Sequence, residues 1–516
     1  MAKFINLEKV GNSSIIESEI CIIGAGPIGI FTAYNLANAG IKTILIEAGN
    51  KETKSGIDFM GKPITTKLEY SGATLGRFFG LGGSSSNWGG VLIPHDLTDL
   101  ENKTENIKSW EWIIDIIKCN KKDVLRKLNF EDDFEFIDEK KYNFSDINND
   151  LLIDKKSLAL PFSKRNFYSF FYNAFAKFNN LKIIYNAVAD IDELDFFKTD
   201  TTIKSFIAKS KNGNQAKIIS NKFIITCGAL ESCRILLIAK DKFRETKLKL
   251  SSRIGKLLSD HISVPIARVN NISRTQVIKQ FAPKFLKSWI ISKRFSLSTK
   301  QILNKRCFFH FVFPNNSNGF KSLKKFLISK QSEKLDLKGY FSLINTSKEI
   351  FNYAYYFFFK KRIFIPQTCN IKLQIDFESN NNNFVELSNE KDDFGRKKLK
   401  INWSITNDDF IFFKKIKALF FENWQKSDFS DIILEPINLE LKDFLDAKNY
   451  YDAYHPAGLN PIILDSNESV LSRELKVKGF SNCYLVSTGN LPSVGSANPT
   501  FSALCLSNYL TKNLLK

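Results

Sequence analysis

The pattern of apolar positions first predicts a short buried strand at residues 18–23, whose unbroken apolar run 20–23 is closed by glycine. Residues 27–38 then read as a helix, with Pro27 tolerated in its first turn and Gly40 just past its end. Residues 43–47 read as the next strand. Strand, helix and strand in this order predict the start of a parallel sheet. The theme returns at 222–227, where a strand meets the turn Gly228-Ala229-Leu230 and a helix over 231–238. Between these units lie a glycine- and serine-rich loop at 75–90 and a charged stretch, helical in places, at 101–158. An aromatic-rich helix at 167–178 and strand material at 181–191 follow.

The middle of the chain changes period. Ile371, Leu373, Ile375 and Phe377 alternate with Lys372, Gln374 and Asp376, a period of two that predicts a strand with one dry and one wet face. A turn at 380–383 and a returning strand at 384–387 follow, with a further strand at 399–405. This predicts an antiparallel sheet inserted into an α/β domain. From about residue 449 the α/β pattern resumes, with a strand at 483–487 and a helix at 500–515. There are no internal repeats.

Composition narrows the class. A chain of 516 residues is too long for one core, so two connected domains are expected. Hydrophobic residues at 43% and charged residues at 25% are ordinary for a globular protein. No apolar run approaches the roughly 18 residues that span a bilayer; the longest is about 353–359. Residues 1–19 lack a signal-peptide core, and a cytoplasmic location is the expectation. Eight scattered cysteines and four distant histidines argue against structural zinc and a disulfide framework, so no metal is expected. Cys21, Cys227 and Cys483 sit in strand-like runs and read as buried thiols. The net charge of +20 is regional: residues 274–362 hold nineteen lysines and arginines against Glu333, Asp336 and Glu349, or +16.

The candidate chemistry begins at Gly24-Ala25-Gly26-Pro27-Ile28-Gly29. Gly24 suits the tight turn, Gly26 the approach of a pyrophosphate, and Gly29 close packing of helix on strand. The helix N-terminus offers N–H groups and positive potential to phosphates. Glu47, 18 residues after Gly29, ends the second strand where a carboxylate can accept from a ribose diol. The motif alone does not separate FAD from NAD.

With these residues, further segments resemble the glucose–methanol–choline (GMC) family of FAD oxidoreductases over most of the chain. They are Gly80-Leu81-Gly82-Gly83-Ser84-Ser85-Ser86-Asn87-Trp88-Gly89-Gly90, Cys227-Gly228-Ala229-Leu230-Glu231-Ser232 and Gly255-Lys256-Leu257-Leu258-Ser259-Asp260-His261. Residues 378–403, with Val385, Leu387, Asp393 and Gly395, resemble a hairpin of the family's substrate-domain sheet. At the C-terminal end Tyr454-His455-Pro456-Ala457-Gly458 is followed by Gly489-Asn490-Leu491-Pro492 and Gly495-Ser496-Ala497-Asn498-Pro499-Thr500. This last part is most similar to pyranose oxidases and related sugar oxidoreductases. The resemblance implies a Rossmann-type FAD-binding domain over 15–100, 160–265 and 446–516. It implies an inserted α+β substrate domain on an antiparallel sheet over 101–159 and 266–445, with the basic insertion 274–362 inside it. It places FAD against Gly24, Gly26, Pro27, Ile28, Gly29, Glu47, Ala48, Gly82, Gly83, Ser84, Asn87, Trp88, Gly89, Val188, Gly489, Asn490, Pro499 and Thr500. Asn87 stands where pyranose-oxidase-like members carry a flavin-linked histidine, so FAD is expected to be non-covalent. Thr488 stands where many members carry an acid, which leaves one contact to the phosphate–ribityl arm to the backbone or to Asn490.

By the same resemblance His455 is the base that takes the hydroxyl proton while hydride passes to flavin N5, and Asn498 is its partner. Asn498 also precedes Pro499 and Thr500 as a helix N-cap would, and both jobs are open to it. His261 reads as a structural ending of the FAD region, and His310, sharing a strand face with Phe308 and Val312, as core or pocket wall. His95 has no assigned mechanism. The expected reaction is oxidation of a CH–OH group on a sugar or sugar-like alcohol, with no nucleic-acid partner. The alternatives are an FAD lyase with no net redox, and a peripheral membrane flavoprotein that passes electrons to a quinone. Basic and aromatic residues interleaved at 285–295, 320–326 and 351–365 motivate the membrane alternative, at the inner face of the membrane.

Overall fold

The computed structural model describes residues 1–11, 14–100, 106–131, 134–136, 151–196, 201–244, 248–297, 307–313, 318–319, 321, 347–365, 368–377, 382–445, 451–452 and 454–516. Two large sheets organise it. The first runs in the order Lys3–Asn6, Leu181–Tyr185, Thr43–Ile46, Ser14–Ile23, Gln215–Ile225, Ile203–Lys209, Val188–Phe196, with Cys483–Leu485 also on Gln215–Ile225. The pairs from Lys3–Asn6 to Gln215–Ile225, and Cys483–Leu485, are parallel; the last three strands form an antiparallel meander. Helix Pro27–Asn38 covers this sheet and packs on the C-terminal helix Pro499–Leu514, where Thr32 and Ser507 hydroxyls meet at 2.8 Å. Helix Ile107–Lys127 lies on the same C-terminal helix, with Trp112 edge-on to Tyr509 and Asn508 donating to Asn120.

The second sheet is antiparallel, in the order Leu434–Pro436, Asp260–Val269, Asn370–Phe377, Cys307–Val312, Trp289–Leu297, Leu151–Ala159, Val91–Leu92. Its dry face carries Phe295, Phe309 and Phe311 onto Phe420 and Trp424 of helix Asn407–Lys426, whose start is set by the Thr406–Asp409 capping box. Two of its strands, Trp289–Leu297 and Cys307–Val312, come from the basic insertion, where lysine-rich composition masked the strand pattern.

One expectation is corrected. The strand 384–387 does not return along 371–377. Both edges of Asn370–Phe377 are already occupied, by Asp260–Val269 and by Cys307–Val312. Phe384–Lys391 instead pairs with Lys397–Asn402, which pairs with Ile64–Thr65, in a separate three-stranded sheet. Asn383 steers the chain there, exchanging hydrogen bonds with Ser404; residues 380 and 381 of the expected turn lie outside the described residues. A second correction concerns the wet face of that strand. Gln374 and Asp376 are buried, and cross-strand pairing puts them beside Ser263 and His261. A buried polar face needs hydrogen-bond partners other than bulk solvent.

Candidate active site

Where the parallel strands of the first sheet end, three glycines set the walls. Gly24 adopts φ +102°, and a Cβ there would lie 2.9 Å from the Cys227 Cα. At Gly29 a Cβ would lie 1.8 Å from the Gly24 carbonyl oxygen, so helix and turn touch directly. At Gly26 a Cβ would meet nothing within 4 Å, because that face opens into a cavity. Gly83 brings the 80–84 loop within reach of the same turn, its Cβ position 2.9 Å from Gly26 Cα.

Glu47 is buried and accepts from three backbone N–H groups, Ala25 at 2.8 Å and Gly49 and Gly80 at 2.9 Å each. Burial pushes its carboxyl up and these donors pull it back. With three of about four acceptor positions taken, it braces the loops and keeps about one for a ligand hydroxyl.

The cavity measures about 1240 Å³ including its open mouth. It runs from Glu47, Ala48 and Val188 past Gly26, Pro27, Ile28, Gly83 and Ser84 to Tyr454, Pro456 and Thr500. Gly24 also lines it, and Gly29 supports it from behind. The other residues expected at the cofactor are not among those lining this cavity. Gly82 abuts Asn166, the Trp88 indole donates to Arg165 O at 2.8 Å, and Asn87 is exposed and bonds Ser86. Gly89 is exposed, while Gly489 packs on Ala229 and Pro499 is buried in the helix start. Asn490 is fully buried: its oxygen accepts from Ser487 N and its amide donates to Asn460 O. Thr488 does reach the cavity, its hydroxyl donating to Pro456 O at 2.7 Å.

Sequence reading missed a charge cluster on the wall. Glu231 pairs with Arg77 at 2.8 Å, Arg396 at 3.4 Å and Arg234 at 3.5 Å, and Asp392 pairs with Arg234 at 2.8 Å and Arg396 at 3.0 Å. Burial alone would push Glu231 up, but Arg234, Arg396 and Arg77 outweigh it and hold it below the usual range. Three guanidiniums face two carboxylates, which leaves positive charge beside a cavity whose glycine turn suits a pyrophosphate. Cys227, expected to be an inert core thiol, lies on the same wall and donates to Ile23 O.

Beyond Tyr454 and Pro456, His455 and its surroundings form a chain of defined hydrogen-bond sense. His261 Nε2 lies 2.7 Å from Gly495 O. A carbonyl only accepts, so Nε2 carries the proton and His261 Nδ1 is an acceptor. His455 Nδ1 lies 3.1 Å from that nitrogen and donates to it. The free lone pair of neutral His455 is therefore on Nε2. Burial, then Arg294 and His95, hold His455 down to about 3, and burial with His455 holds His261 well below its usual value, so both rings are neutral near pH 7. Asp260 fixes the pair from below, accepting from the backbone N–H of His261 at 2.6 Å and of His455 at 2.9 Å, and from the Tyr70 hydroxyl at 2.6 Å. His261 thus couples directly to His455, beyond the structural ending expected for it.

Asn498 is the N-cap residue of Pro499–Leu514 by position, yet its side chain makes no capping bond. Its Oδ1 accepts from Arg294 Nη2 at 2.6 Å, which leaves the amide N–H groups as its outward donors. Arg294, buried over the Phe308 ring at 4.3 Å, was hidden in sequence among the lysines of the insertion. His95 brackets the turn before Asn498, its Nε2 donating to Val494 O and its Nδ1 meeting Ser502 Oγ, both at 2.7 Å. His310 packs with its ring centre 6.4 Å from that of Phe308, and burial holds it down to about 3.

Comparisons with known proteins address the same regions. A family model described as GMC oxidoreductase matches residues 379–507, which include His455 and Asn498. One described as FAD binding domain matches residues 17–56, which include the glycine turn and Glu47. Among solved structures, a formate oxidase variant of Aspergillus oryzae RIB40, studied for FAD modification, superposes with TM-score 0.56 at 15% identity, covering 98% of each chain. Pyridoxine 4-oxidase from Mesorbium loti superposes with TM-score 0.58 at 13% identity, covering 96% of this chain and 99% of that one. A comparison with curated protein sequences gives no match. The two family matches fall on the two halves of one site, and together they mark an FAD-dependent oxidoreductase whose residues 379–507 match the GMC oxidoreductase family.

Proposed function

We propose that the protein oxidises a CH–OH group of a polyhydroxylated, sugar-like alcohol, with His455 as proton acceptor and Asn498 as hydrogen-bond donor to the substrate oxygen. The hydrogen-bond sense from Gly495 O through His261 to His455 carries this reading, because it leaves a bare Nε2 to take the hydroxyl proton. Arg294 holds Asn498 as a donor, so base and amide complement the two ends of a C–O–H group. Gly24, Gly26, Glu47, Val188 and the positive wall suit FAD, which when bound supplies the hydride acceptor. Without a histidine at position 87, FAD is held without a covalent bond. His310 Nδ1 and Gln374 Oε1 support a substrate rich in hydroxyls. Both atoms are buried with no hydrogen-bond partner among the described residues; Gln374 lies on the strand paired with the one that carries His261, and His310 on the next strand out. The names of the superposed oxidases point to small polar substrates.

The test is an anaerobic absorbance scan of the holoenzyme with a panel of sugars, polyols and simple alcohols. Bleaching by a polyol and not by ethanol is expected. His455→Ala should keep the flavin spectrum and slow reduction by about 10²-fold or more; unchanged reduction would remove His455 from the base role. A flavin that never bleaches while product is released would replace oxidation by a redox-neutral lyase.

A further inference from the structure

The helix Ser347–Tyr355 and the wider turn Tyr356–Lys360 that extends it are apolar on both faces. The inner face is accounted for: Tyr353 and Tyr356 pack on Phe364 at 5.2 and 5.1 Å, and Phe357 on Phe285 at 4.7 Å. The outer face is not, among the described residues. Phe351, Tyr355, Phe358 and Phe359 follow helical spacing, and they are 71%, 39%, 62% and 75% exposed. Single exposed aromatics are ordinary, but four on one stripe mark a contact surface. Lys348, Lys360 and Lys361 are exposed at the two ends of the stripe, and Lys360 Nζ lies over the Tyr355 ring at 5.8 Å.

We propose that this stripe seats the enzyme on an anionic lipid surface, with Phe351, Tyr355, Phe358 and Phe359 entering the headgroup–acyl boundary and the flanking lysines meeting lipid phosphates. Charge chooses the occupant. The surrounding segment 274–362 carries +16, so a second copy of this chain would bring like charge to like charge, whereas an anionic bilayer is complementary. A linear aromatic stripe with lysines at its ends also has the form of an interfacial helix, with apolar rings inserted and long cationic side chains reaching to the headgroups. No described helix is long and apolar enough to cross a membrane, so the contact is peripheral. The seat is tied to the catalytic region. The Lys284–Leu286 strand, bridged at Lys284 to Arg362, pairs with Trp289–Leu297, whose Arg294 holds Asn498.

The experiment is co-sedimentation of the holoenzyme with vesicles of phosphatidylcholine alone and of phosphatidylcholine with phosphatidylglycerol, at low and physiological salt. Binding to the anionic vesicles, weakened by salt, is expected. The double variant Phe358→Ser/Phe359→Ser should retain its flavin spectrum and its turnover of a soluble substrate, yet bind about tenfold or more weakly. Lys360→Glu/Lys361→Glu should lose binding to anionic vesicles to a similar degree. Failure of the unmodified enzyme to sediment with anionic vesicles would overturn the proposal. So would undiminished binding by the Phe358/Phe359 variant, which would reduce the effect to bulk charge attraction. A dimer in solution that the same substitutions dissociate would assign the stripe to a second copy and overturn it as well.

Discussion

Gly26 and Gly29 stand three residues apart and fail differently when a side chain is added. At Gly26 the new atoms enter the cavity, so Gly26→Val should give a folded protein that purifies without flavin. At Gly29 they strike the Gly24 carbonyl at 1.8 Å, so Gly29→Ala should lower the denaturant midpoint whether or not FAD is added. Flavin absorbance and a urea melt on both variants separate the roles, and a flavin-loaded Gly26→Val would contradict the cofactor site. The histidines offer a pH test. A free imidazole protonates near 6.5, whereas folded His455 stays neutral to about 3. The unfolded chain therefore takes up a proton that the folded chain refuses, and this group's contribution to stability, complete above 6.5, falls as pH drops from 6.5 toward 3. Because the base remains unprotonated, kcat/KM should show no acid limb near pH 6.5; a limb there would mean that His455 titrates as if exposed. Its partner should respond to hydrogen-bond capacity rather than shape. His261→Asn, whose carbonyl can accept from His455, should retain more flavin reduction than His261→Phe, which lacks an acceptor and should lose about 10²-fold.

At the scale of elements, the hairpin formed by Phe384–Lys391 and Lys397–Asn402 is clasped to helix Gly228–Lys242. Arg234 reaches Asp392 and the carbonyls of Arg396 and Lys397, and Glu231 takes Arg396. Asp392→Ala would leave Arg234 and Arg396 buried and facing each other with Glu231 alone. It should cost about 3–5 kcal/mol in a urea melt; a loss below about 1 kcal/mol would show that the clasp is dispensable. Local patterns in the sequence carried the elements further than their partners. The helix Pro27–Asn38 is legible to the residue, because glycine, proline and apolar spacing are local signals. The strand Asn370–Phe377 is equally legible, yet its neighbours come from positions 260 and 307, and nothing local reports that its edges are filled.

At the scale of the molecule, the glycine turn, Glu47 and His455 with Asn498 could be singled out because each sits in a short motif. Arg294 and the Arg77–Glu231–Arg234–Asp392–Arg396 cluster could not, since their partners lie up to 204 residues away in sequence and their type is common in a basic chain. Asn490 carried a motif and still turned inward, because the Ser487 turn and Asn460 needed its amide. The regional charge was visible at once, but the aromatic stripe beside it depends on which face of helix Ser347–Tyr355 the fold covers.

The order of assembly follows from how the first sheet is closed. Gln215–Ile225 pairs on one side with Ser14–Ile23 and on the other with Cys483–Leu485, and the cavity is lined by both Gly24 and Thr500. On the ribosome the glycine turn is made long before residues 483–500, and its cavity lacks a wall until they follow. Cofactor capture thus waits for both ends of the sheet, and a nascent chain stalled before residue 483 should emerge colourless however well its N-terminal strands have formed.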